Sequence, residues 1–189
     1  MRSLAPCLVL ALLLASCASS PPCRFYTLDP VPPRVQLPAA GLMLQVAAVH
    51  IPEVLQRQEM VRESAPETLH LSDRNRWGAP LAGMIQRVLE QDLAARLPAS
   101  TVLPPGSLPP AGTHVLVVDV LRFDAGPSGT VRLEGSWAQF APGSGEPLLP
   151  QRVQLVTRAH PAGGSRGQAA AMSRLLGRLA DRIAAILAP

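Results

Sequence analysis

Apolar and polar positions change their period repeatedly along this chain, and each change marks a structural element. Residues 8–14 are apolar without interruption, follow Met1-Arg2 and end in Leu14-Ala15-Ser16-Cys17. A charged start, a short apolar run and small residues before a cleavage point make an export signal of residues 1–16 and not a domain. The run is too short for a permanent span, which needs ~20 residues. Phe25-Tyr26-Thr27-Leu28 alternates as a short edge strand does. From Leu42 to Ile51 nearly every residue is apolar, many of them β-branched, which predicts a strand buried on both faces and ended by Pro52. Met60–Glu63 and Thr68–Leu71, separated by Ser64-Ala65-Pro66-Glu67, predict a hairpin.

The period then lengthens. Leu81, Met84, Ile85, Val88, Leu89 and Leu93 recur at three and four residues, with Gln86, Arg87, Glu90 and Gln91 opposite, so an amphipathic helix opens at Pro80 and ends near Pro98. A Pro- and Gly-rich connector over residues 104–110 leads to a strand over His114–Phe123, and Gly126-Pro127-Ser128-Gly129 turns the chain into a second over Thr130–Phe140. Gln151–Arg158 alternates as a third antiparallel strand. After a glycine-rich break, Met172, Leu175, Leu176, Leu179, Ile183, Ile186 and Leu187 line one face of a helix over about 168–187. Arg174, Arg178 and Arg182 share another face at four-residue spacing. The expected fold is α/β in the layered α+β sense: a single domain with two amphipathic helices on a mixed, largely antiparallel sheet.

Removing the signal leaves about 170 residues, enough for one domain with a real core. Residues 17–38 read as a Pro-rich tether with a short edge strand, and residues 39–189 as the domain. The formal charge is +4 and every basic Lys-or-Arg position is an arginine. No basic block gathers that would neutralise a run of phosphates, which argues against nucleic acid as a partner.

Leu14-Ala15-Ser16-Cys17 matches the bacterial lipoprotein box, so cleavage between Ser16 and Cys17 and acylation of Cys17, with palmitate-like chains, are expected. Two or more chains anchor stably where one attaches reversibly. Ala18 stands where an Asp resembles an inner-membrane retention mark, which favours the periplasmic face of the outer membrane. Cys7 leaves with the signal and Cys17 is acylated, so Cys23 has no intrachain partner and reads as an incidental thiol in the tether.

Catalytic chemistry is hard to find. His50, His70, His114 and His160 show no close-ligand spacing, so no metal and no cofactor is expected. There is no nucleophile elbow, Walker-type loop or dinucleotide fingerprint. Gly163–Gly167 resembles an anion-holding loop before a helix but lacks the strand and lysine that would support it. The arginine stripe reads as a solvated face or as a contact for acidic headgroups or an acidic partner, and Trp77 and Trp137 as packing residues.

Four segments carry a family resemblance. They are Phe25–Leu28 soon after the lipobox; Ile51-Pro52-Glu53-Val54-Leu55 running to Gln58–Val61; Arg76-Trp77-Gly78-Ala79-Pro80-Leu81; and Arg122-Phe123-Asp124. In this order and spacing the chain resembles the ABC-type transport auxiliary lipoprotein family, the group that includes paraquat-inducible protein C and YmbA-like proteins. Two departures are Ala79, where an acidic residue is common, and Gln56–Gln58, where an Asp and a Pro are more usual. The resemblance implies a non-catalytic component of a lipid-transport system that supports membrane integrity. Its expected partners are a periplasmic MCE-domain protein and, indirectly, an ABC permease and ATPase, with self-association into a ring possible. Trp77, Arg174, Arg178 and Arg182 are the residues offered for partner docking. The alternative is a general envelope-assembly lipoprotein associated with outer-membrane proteins.

Overall fold

The computed structural model describes residues 22–39, 41–143, 146–148 and 150–188. Ser16 and Cys17 lie outside them. Eight strands form one mixed sheet: β1 (Arg24–Tyr26), β2 (Met43–His50), β3 (Glu59–Ala65), β4 (Thr68–Trp77), β5 (Thr101–Leu103), β6 (Thr113–Ala125), β7 (Thr130–Phe140) and β8 (Gln151–Arg158). Helix α1 (Leu81–Arg96) follows β4, and α2 (Gly164–Leu187) follows β8.

Strand β6 is the spine. One of its edges carries β7 and then β8, both antiparallel. The other carries β2 over Thr113–Asp119 and, at Arg62 opposite Ala125, the start of the β3–β4 hairpin. Strand β5 extends the sheet beyond β2, and β1 extends it beyond β4.

The sheet is mixed, as expected, and its longest pairing, β6–β7, is antiparallel. Four pairings among the described residues are parallel (β1–β4, β2–β5, β2–β6, β3–β6) and three antiparallel (β3–β4, β6–β7, β7–β8). The parallel pairs join strands that are distant in the chain, whereas every antiparallel pair joins consecutive strands.

Three boundaries differ from expectation. Strand β5 lies just before the Pro- and Gly-rich connector, and β4 continues to Trp77, well past the predicted Leu71. Gly164–Gly167 is the first turn of α2 and not a loop, packed so that a Cβ on Gly167 would press the His160 carbonyl oxygen.

Both helices cover one face of the sheet. From β6 and β7, Leu116, Val118, Phe123, Val131, Leu133 and Trp137 point into this layer, against Met84, Ile85, Val88 and Leu89 of α1 and Met172, Leu175, Leu176 and Leu179 of α2. Ile186, expected on that stripe, is 51% exposed because the last turn of α2 runs beyond its cover.

Residues 27–37, read from sequence as tether, form an extended strap seated across the two helices. The Asp29 N–H donates to Ser173 Oγ, the Val31 N–H to Asp92 Oδ1 at 2.8 Å, and the Leu37 N–H to the Arg96 carbonyl at 2.7 Å. Beneath the strap, Arg96 is 2% exposed and reaches Asp181 on α2 through Nε at 2.6 Å, and Asp92 and the Val31 carbonyl through Nη1. Burial pushes the Asp92 carboxyl above its usual range, against the lowering effect of the Val31 N–H and the Arg96 charge. Gly177 is where the strap crosses α2: a Cβ there would sit 3.0 Å from that of Val31.

Glu90, expected on the wet face of α1, is 7% exposed, and its Oε1 has no hydrogen-bond partner. Burial raises its pKa from 4.5 to about 7. Between these values the folded protein binds more protons than the unfolded chain, so this carboxyl makes stability fall as pH rises through that window. Glu90→Gln should therefore stabilise the protein by about 2 kcal/mol at pH 8 and by little at pH 4. Urea unfolding at the two pH values measures the difference.

Candidate functional site: the uncovered face of the sheet

Among the described residues no helix covers the other face of the sheet. Side chains alternate along a strand, so the partners of the core residues must emerge there: Val117, Asp119 and Arg122 from β6, and Arg132, Glu134, Ser136 and Ala138 from β7, all partly exposed. In β6 the alternation is broken. The register slips between Val120 and Arg122, which leaves Leu121 as the extra residue of a β-bulge, 73% exposed. A bulge re-aims a side chain, and here it sends a leucine into solvent at the centre of the sheet. Gly135 faces the bulge from β7, and a Cβ at that position would run into the Asp119 carbonyl oxygen.

On the side of β2 and β3, the edge of β6 between Asp119 and Ala125 has no strand against it among the described residues. The 3-10 turn Glu53–Leu55 lies beside this gap, with Leu55 buried. Two hollows open on either side of the turn. One, of about 560 Å³, runs between the turn, the diverging β3–β4 hairpin and β6; Val54, Val61, Leu69 and Leu121 give it apolar walls. The other, of about 460 Å³, lies between the end of β2, residues 56–58 and the start of α1 at Pro80-Leu81-Ala82.

A charge network rims the first hollow. Arg122 bridges Glu63 (2.6 Å) and Asp124 (2.8 Å), with Arg132 3.9 Å from Glu63. The hydrogen bond to Asp124, joined by that to Glu63, holds the Arg122 guanidinium above its ordinary pKa against partial burial. The network ties β3 to β6 where only one register pair joins them, so it fixes the angle at which the hairpin diverges.

At the second hollow, His50 Nδ1 lies 2.7 Å from Asp119 Oδ1, both well exposed. Ser136 is the next residue in this row, opposite Asp119. The order His–Asp–Ser across three strands puts the carboxylate between the other two, so the imidazole is not placed to take a proton from the hydroxyl as an activated nucleophile requires. Among the described residues no group of three or more His, Cys, Asp or Glu is placed to hold a metal ion, and no helix is long and apolar enough to cross a membrane.

The docking residues offered from sequence fall elsewhere. Trp77 is 3% exposed; its backbone N–H donates to the Gln58 carbonyl at 2.7 Å, so it supports the second hollow from below. Arg174 and Arg178 reach over the free edge of β8 and donate to the carbonyls of Arg158 (3.0 Å) and Val156 (2.8 Å). They occupy acceptors that another strand would use, a common way to blunt a sheet edge. Arg182 is exposed one turn further on.

Sequence reading missed Leu121 and Gly135, although the adjacent apolar pair Val120-Leu121 already breaks the alternation. It also left unseen that three of the four segments carrying the family resemblance come together, while the fourth, at β1, pairs with β4. Residues 51–58 form the turn, Arg122–Asp124 wall one hollow, residues 79–81 wall the other, and Tyr26 closes the strand pair above Trp77, its carbonyl accepting from the Gly78 N–H at 2.8 Å.

Comparison with known proteins agrees with this architecture. A family model described as the ABC-type transport auxiliary lipoprotein component matches residues 26–184. The crystal structure of an uncharacterized protein superposes with a TM-score of 0.74 at 19% identity, covering 88% of this chain and 99% of the other. Protein XCC0632 from Xanthomonas campestris superposes with a TM-score of 0.64 at 15% identity, covering 87% and 95%. At these identities the likeness is one of fold. Curated proteins give no match to the sequence.

Proposed function

This chain belongs to the family of ABC-type transport auxiliary lipoprotein components, and from that premise we propose that it is the outer-membrane-anchored member of an MCE-type lipid-transport system. In this reading Cys17 carries the acyl chains, the domain works in the periplasm without catalysis, and its uncovered sheet face docks the periplasmic MCE-domain protein. The ABC permease and ATPase are reached through that partner. The observation that carries the reading is the convergence of three of the four family-like segments around the Glu53–Leu55 turn and its two hollows. A surface built from distant parts of the chain, walled by apolar side chains and rimmed by ion pairs, has the anatomy of a protein-docking site.

Leu121 is the natural anchor of such a contact because it is apolar, central and exposed while its backbone is held in a long strand. Leu121→Arg is expected to lower recovery of the MCE protein by about tenfold or more, the loss of a single hot spot, and to leave the melting temperature unchanged. Unaltered recovery would remove this face from the account. Mass spectrometry of the mature amino-terminal peptide tests the anchor separately: it should begin at Cys17 and carry acyl mass.

A further inference from the structure

We propose that β1 and the β3–β4 hairpin form an apron that lies against the lipid surface holding the protein. The proposal rests on the acylation of Cys17 put forward above. Strand β1 runs parallel to β4 with Arg24 opposite Asn75, so the chain enters β1 from the side of the hairpin turn. Pro22 accordingly lines a shallow hollow with Arg24, His70, Ser72, Asp73 and Arg74.

Only five residues lead from Cys17 to Pro22, a contour of about 17 Å even when fully extended. From Ser72 back to Leu69 the hairpin itself runs a further ~10 Å at strand rise. The headgroup region of one leaflet is ~5–7 Å deep. A tether this short keeps the hairpin end of the domain at the bilayer, with no room for the other end to take its place.

The side chains there suit that position. Phe25 is 64% exposed and Leu71 37%, and neither belongs to the core. Val35, Leu108, Leu148, Val156 and Ile186, also exposed, are scattered over other parts of the chain. Arg24 and Arg74 can meet headgroup phosphates while the apolar side chains reach the acyl boundary; Asp73 is the one acidic residue lining the hollow. Apposition would also fix the domain's orientation, because Leu69 of the same hairpin walls the docking hollow beside Leu121. A partner seated there would lie close to the membrane surface.

The test uses the full lipidated protein in vesicles of phosphatidylethanolamine and phosphatidylglycerol. In a Cys23→Ser background, an environment-sensitive fluorophore is attached at Phe25→Cys, Leu71→Cys or, as control, Leu108→Cys, which is 93% exposed before the start of β6, the strand whose far end meets the hairpin. On vesicle binding, iodide quenching should fall about threefold or more at positions 25 and 71, as for residues entering the interface, and stay unchanged at 108. Equal iodide access at all three positions on protein that floats with the vesicles would overturn the apron and leave the anchor standing. Failure of the protein carrying an intact Cys17 to float would overturn the anchor and the apron with it.

Discussion

Replacing Arg96 by leucine is expected to cost about 3–5 kcal/mol, because it leaves the buried Asp92 without its compensating charge. For a domain of this size each kcal/mol lowers the melting temperature by roughly 2–4 °C, so a drop of about 10 °C or more should appear by circular dichroism. The effect is large because one guanidinium joins three elements: it pairs with Asp92 on α1 and Asp181 on α2 and donates to the Val31 carbonyl of the strap. Loss of these bonds should release the strap first, making the chain near residues 31–37 sensitive to protease at temperatures where the core is intact. Asp92→Leu in the same chain removes the stranded carboxylate, so the double variant should recover much of the loss. Additive losses in the two single variants would show that the pair is not coupled and that the strap is held by other contacts.

Gly135→Ala is expected to be nearly as damaging, at about 3 kcal/mol. A methyl group would meet the Asp119 carbonyl across the ladder, where backbone and not a flexible side chain must yield. Since the bulge that Gly135 accommodates is what turns Leu121 outward, partner recovery should fall together with stability. Ser136→Ala, one residue on and partly exposed, is the control and should be near neutral in urea unfolding. An alanine at 135 without cost would mean that the β6–β7 pair adopts another register.

These two positions also show how far the sequence carries. Both helices and the β6–β7 hairpin are legible because their signals are local: a repeat of three and four residues, or alternation across a turn. The parallel pairings are not, because each joins strands distant in the chain, which no local pattern specifies. Strand β5 is only three residues long, too short to declare a period.

Asp92 and Arg96 belong to a helix whose apolar stripe accounts for its contact with the sheet. Their burial comes from a strap some sixty residues upstream, contributed by a stretch whose prolines read as tether. The candidate site is less legible still. Each of its segments is recognisable by itself, yet their gathering around Glu53–Leu55 follows from the gap that β2 and β3 leave along β6. The arginine stripe reads as a solvated face or a contact for acidic partners, and two of its members donate to carbonyls of β8.

The most direct test of the central claim is affinity purification of the full lipidated protein from its native envelope, with mass spectrometry of what accompanies it and Cys17→Ala alongside. Recovery of an MCE-domain protein together with an ABC permease, lost or strongly reduced when the anchor is removed, is the predicted result. Recovery of a β-barrel or its assembly factors in their place would contradict the transport role and make this a lipoprotein of envelope assembly.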